Sequence, residues 1–148
     1  MIRKKSLRIV ILLSILVVFV TWLNKGEDQT ISRSPAEKVV RAFFESLKNN
    51  DKLRIDSYVT HGNKGVWSRH ETKYVKVLSI KEDDLAKKSY LKYGRGEILK
   101  PFDVKAFSIF FLMSCDDPSM DNIWYDWHFT VIKERKDSPW LIDAWGMD

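Results

Sequence analysis

Cys115 is the only cysteine among 148 residues. One thiol forms no intramolecular disulfide, so any exported domain must be held by its packed core alone. No base lies beside Cys115 in sequence, and such a thiol is by default a buried or bystander group. The chain also lacks a His-x-His pair, paired cysteines and a His-Glu-x-x-His run, which argues against a dedicated zinc site. Glycine is sparse, with six residues, and neither a phosphate-binding glycine loop nor a Gly-x-Ser-x-Gly elbow occurs. Gly94-Arg95-Gly96 is too short to be either. No cofactor is implied. Internal repeats and low-complexity blocks are absent as well.

Acidic residues are missing from the first eight positions, where Arg3, Lys4, Lys5 and Arg8 stand. These four account for most of the formal charge of +5. The remainder is close to neutral, so the high pI does not indicate a nucleic-acid partner.

Directly behind Arg8 lies the longest apolar run, Ile9 to Leu23, read as IVILLSILVVFVTWL. It carries no charge, and no polar face of the kind a soluble amphipathic helix would show. It is somewhat shorter than the ~20 residues of a typical span, and Arg8 and Trp22 suit the two interfaces. A cleaved signal would need small residues just beyond the run. The chain has Thr21-Trp22-Leu23-Asn24-Lys25 there, which points to an uncleaved anchor rather than a secreted soluble domain. No cysteine comes after the run in the position a lipid anchor needs, so the lipoprotein route is closed. Basic residues on the N-terminal side place that end in the cytoplasm. The expected layout is a cytoplasmic tail at 1–8, a transmembrane anchor at 9–23 in the lipid bilayer, a polar tether at 24–33, and one extracytoplasmic domain at 34–148.

That domain opens with Ser34-Pro35-Ala36-Glu37, a helix cap and capping box. Ala36, Val39, Val40, Phe43, Phe44 and Leu47 then recur at helical spacing. Asn49, Asn50 and Asp51 end this helix and begin a short second one bearing Leu53, Ile55, Tyr58 and Val59. Gly62 and Gly65 break it in a loop containing His61. Strand patterns come next at 73–80, 104–113, 123–133 and 140–145, with a short strand at 89–93 and a polar hairpin at 134–139. The predicted class is α+β: one long and one short helix packed on a curved antiparallel sheet, enclosing a cone-shaped cavity.

The opening run from Pro35 to Glu45, the Asn49-Asn50-Asp51 break and the ending Trp140-Leu141-Ile142-Asp143-Ala144-Trp145-Gly146 resemble the nuclear-transport-factor-2-like superfamily. They are most similar to small membrane-anchored or exported members of Gram-positive bacteria, many of unknown function. The resemblance spans about Ser34 to Gly146. It implies a cone fold, often dimeric, and no single activity, because the fold hosts isomerases, dehydratases, binding modules and secretion-machinery scaffolds.

Enzymes on that fold place Asp, His or Tyr in the cavity. Asp126 and His128 share one face of a strand, and Asp143 on the last strand is the third candidate. Against this, Tyr125, Trp127, Phe129 and Val131 form the better core face, which turns Asp126 and His128 outward. His61 and His70 lie in or near loops, where an imidazole needs no function. Asp116, Asp117, Ser119, Asp121 and Asn122 lack the glycine and terminal Glu of a calcium loop and read as a solvated turn. The aromatics and lysines of residues 90–95 suit a glycan, a membrane headgroup or an edge strand. The expected role is therefore a non-catalytic binding or interaction module of the cell envelope, with an envelope protein or a second copy as partner. The alternatives are a small isomerase or dehydratase using Asp126, His128 or Asp143, and a scaffold subunit of a secretion or conjugation channel.

Overall fold

The computed structural model describes residues 33–118, 120 and 123–147. The predicted tail, the anchor at 9–23 and the tether up to residue 32 lie outside them, as do Ser119, Asp121 and Asn122. Among the described residues no helix is long and apolar enough to cross a membrane.

Helix α1 runs Pro35–Lys48. Ser34 Oγ accepts the Glu37 N–H at 3.2 Å, a cap worth about 1 kcal/mol. The Glu37 carboxylate turns to Arg41 Nε at 2.8 Å. The second half of the predicted capping box is thus replaced by an i,i+4 ion pair. Ala36, Val40, Phe43, Phe44 and Leu47 are buried. Asn50 ends the turn in the left-handed region at φ 51°, which asparagine tolerates. Its side chain donates to Thr72 O at 2.9 Å and accepts from Thr72 N at 2.7 Å. Asp51 Oδ1 then caps Arg54 N at 3.2 Å and starts α2, Lys52–Ser57. Only Ile55 of this helix is buried, and Leu53 faces solvent.

Residues 58–60 run beside the last strand. Ile142 N donates to Tyr58 O, Thr60 N donates to Ile142 O, and Val59 pairs with Ile142 in parallel. Four strands then form an antiparallel meander in sequence order: β1 Thr72–Glu82, β2 Asp103–Cys115, β3 Trp124–Lys133 and β4 Trp140–Gly146. Register shifts interrupt β1 at two places, and a third opposite Thr130/Val131 makes Asp143 the extra residue of β4. An α+β architecture with a four-stranded antiparallel sheet is therefore observed.

One sheet face packs under α1. Phe44 meets Phe111 with ring centroids 5.0 Å apart, and Phe43 meets Trp67 edge to face at 5.6 Å. Tyr125, Phe129 and Val131 are buried here and Trp127 packs against them, as the alternation predicts. This core is built within residues 33–148, which form a compact unit of their own.

The predicted strand at 89–93 is instead helical. Helix α3 spans Asp84–Tyr93 and α4 spans Arg95–Leu99. Asp83 decides this by capping both Leu85 N and Ala86 N at 2.9 Å. Ser89-Tyr90-Leu91-Lys92-Tyr93 suits a strand by its two tyrosines, but the buried pair Ala86 and Tyr90 has i,i+4 helical spacing. Tyr90 packs on the sheet face opposite α1, against Val104 and Ile132, with Ala144 at the edge of the cluster. Two helices more than predicted therefore join the fold, and one end of the sheet is covered on both sides.

Candidate functional site

The three acid–base candidates have separate surroundings. Asp126 is exposed and accepts Ser108 Oγ at 3.3 Å. His128, two residues on, is half-buried beside the shallow groove between α3 and the sheet. The carboxylate beside it is not Asp126. Asp83 Oδ2 lies 3.5 Å from His128 Nδ1, while Asp83 Oδ1 caps α3.

Asp143 is buried completely. Its Oδ1 accepts Thr60 Oγ1 at 2.8 Å and lies 3.3 Å from Arg95 Nη2. Its Oδ2 accepts the Tyr90 hydroxyl at 2.7 Å, and its backbone oxygen accepts Asn63 Nδ2 at 2.7 Å. Burial first, and then the Asp143 carboxylate, push the Tyr90 phenol above its ordinary pKa. Both carboxylate oxygens hold donors from this chain, so a substrate proton has no path to them. Asp143 thus ties the loop at 60–63, α3 and α4 to the bulge in β4. The Gly94-Arg95-Gly96 run serves this clasp. A Cβ on Gly96 would sit 2.6 Å from the Tyr90 ring, so glycine lets α4 turn tightly enough for Arg95 to reach Asp143.

A pocket more enclosed than the groove at α3 lies beside the aromatic core. It measures about 170 Å³ and opens between the segment after α2, the end of β2 and the β2–β3 loop. Trp67, Trp127 and Trp145 form its walls, with Met113, Met120 and Cys115. Trp67 meets Trp127 at 6.1 Å and Trp145 at 5.7 Å, both edge to face. The Trp67 Nε1 is buried and has no hydrogen-bond acceptor among the described residues, a cost of roughly 1–3 kcal/mol. Cys115 Sγ lies 4.0 Å from Met120 Sδ, a weak thiol contact.

The polar rim of this pocket is His70 and Asp117. His70 Nε2 stands 3.3 Å from Asp117 Oδ2, and Nδ1 stands 3.3 Å from Asp116 Oδ1. Glu71 N donates to Asp116 Oδ1 at 2.8 Å. That backbone bond, and then His70, hold the Asp116 carboxyl below the usual carboxylate range. The acidic loop thus turns two of its carboxylates to an imidazole. Among the described residues no group of three or more His, Cys, Asp or Glu side chains is placed to hold a metal ion. Nothing local in the sequence separates His70 from an ordinary loop histidine. The one signal that singles out this region is a Trp at position 67 beside a glycine-containing loop, outside any periodic pattern.

A family model described as "Domain of unknown function (DUF4829)" matches residues 37–146. No curated protein matches the chain, and no solved structure does.

Proposed function

The chain belongs to the DUF4829 family, and on that premise we propose a single-pass membrane protein whose 34–148 domain is a non-catalytic binding module outside the cell membrane. The observation that carries this reading is the tryptophan pocket. Its wall is aromatic and thioether, its one histidine is engaged by two carboxylates, and Asp126, His128 and Asp143 each have other partners. An engineered cavity of roughly 150 Å³ takes up benzene, so the pocket suits a benzene-sized apolar group. That group is either a small ligand or an inserted side chain of an envelope partner. The nuclear-transport-factor-2-like cone is part of the same proposal. It is supported by α1 lying over one sheet face and by register shifts of the kind that bend strands.

Membrane location rests on the run Ile9 to Leu23 and its basic flank. Fractionation of cells carrying the full chain tests it. The protein is expected in the membrane fraction, with external protease removing the 34–148 domain; intact chain in the cytosol refutes the reading. For the pocket, purified residues 33–148 titrated with indole should show saturable NMR shifts of the Met113 and Met120 methyls. Unmoved methyls at saturating indole refute the pocket as a binding site.

A further inference from the structure

Helices α3 and α4 and the turn after them expose an unusual amount of apolar surface. Leu85, Leu91, Tyr93, Ile98, Leu99 and Phe102 make up half of the large apolar side chains exposed among the described residues. Ile98 is 84% exposed and Tyr93 75%. Other residues face inward: Ala86, Tyr90 and Gly96 are the buried ones of the two helices. The exposed set is therefore surplus to the fold and forms one chain segment rather than scattered residues.

Charge gathers on the same stretch. Residues 84–102 carry Lys87, Lys88, Lys92, Arg95 and Lys100 against Asp84 and Glu97, while the rest of residues 33–148 is within one charge of neutral. Lys92 Nζ also lies 4.8 Å from the Tyr93 ring centroid. Bulky aliphatic and aromatic side chains interleaved with lysines are the composition of a segment that lies in a headgroup layer.

We propose that the α3–α4 segment is a second membrane contact, which docks on anionic lipid by inserting Ile98, Leu99 and Phe102 while Lys88, Lys92 and Lys100 meet the headgroup phosphates. The anchored reading supplies the reason a bilayer is at hand. About ten tether residues span at most ~35 Å, so the domain never leaves the vicinity of lipid. The docking itself needs only residues 33–148. Each lysine near an anionic surface contributes about 1 kcal/mol, roughly a fivefold change in partitioning.

Co-sedimentation of purified residues 33–148 with vesicles tests this directly. The unit should bind vesicles of phosphatidylglycerol and phosphatidylcholine, release in high salt, and ignore phosphatidylcholine alone. Ile98→Asp with Leu99→Asp should abolish binding. Lys88→Glu with Lys92→Glu should weaken it by more than about tenfold. All four positions are exposed, so circular dichroism should be unchanged. Leu53→Asp, at a leucine on α2 about as exposed as Ile98, should leave binding intact. Failure of the wild-type unit to bind anionic vesicles overturns the proposal, and so does binding that survives Ile98→Asp with Leu99→Asp. Light scattering adds a third arm. A dimer that these same changes convert to monomer would show that a second copy covers this face instead. Because the unit lacks residues 1–32, its vesicle binding stands or falls separately from fractionation of the full chain.

Discussion

On the α1 side of the sheet, Phe43, Phe44, Phe111 and Phe129 meet ring to ring within a continuous apolar core. On the α3 side the buried apolar cluster among the described residues is small, Tyr90, Val104 and Ile132, and the Asp143 clasp adds to the attachment. The first face is held by area, which is non-directional and forgiving of small shifts. The second is held by a few directional bonds whose donors and acceptors must all be present. Loss of packing on one side should therefore cost the whole fold, while loss of one clasp member should loosen α3 and α4.

The sharpest break of this contrast is Phe129→Ala. The ring is fully buried between α1 and the sheet. Urea unfolding of residues 33–148 should show a loss of about 3–5 kcal/mol. Next comes Asp143→Ala, which strands the buried Thr60 and Tyr90 hydroxyls. A loss of about 2–3 kcal/mol is expected, and amide exchange should rise first in α3 and α4 if the clasp is local. An equal rise under α1 would erase the distinction between the faces. Gly96→Ala is third, at about 1–3 kcal/mol, because the new methyl meets a Tyr90 ring that Asp143 already fixes.

Tyr90→Phe is smaller at neutral pH, about 1 kcal/mol, but it carries a pH signature. The folded-state phenol titrates above the unfolded value of about 10. The clasp therefore contributes fully below pH ~10 and its stabilisation is lost as pH rises past that value. Wild-type stability should fall there relative to Tyr90→Phe, as measured by denaturant midpoints across alkaline pH. Parallel curves for the two proteins would show that the hydroxyl is not what joins α3 to β4. Asp126→Ala is the smallest, within about 0.5 kcal/mol, since the carboxylate is exposed and held by one long bond from Ser108.

Legibility tracks the range of the interactions involved. Ser34, Asn50 and Asp51 are readable because a cap or a left-handed turn acts within a few residues. The alternation of Tyr125, Trp127, Phe129 and Val131 names the core face of β3 because a strand's side-chain period is fixed at two. Ser89 to Tyr93 is too short for its period to be read, and the deciding cap at Asp83 lies upstream. The pairing of Asp126 with His128 fails for a related reason. Residues two apart share a face, yet hydrogen-bond partners are chosen across elements, and the carboxylate that reaches His128 comes from the start of α3.

The amino-acid order by itself determined the long amphipathic helix, its caps, and the series of strands behind it. These depend on local periodicity and on side chains bonding to neighbouring backbone. Tertiary structure alone decided that Thr60, Tyr90 and Arg95 converge on Asp143, and that Trp67, Trp127 and Trp145 wall one pocket with His70 at its rim. Those partners lie up to 83 positions apart. They meet through strand pairing and through a bulge in β4 that takes one carboxylate out of the strand's alternation.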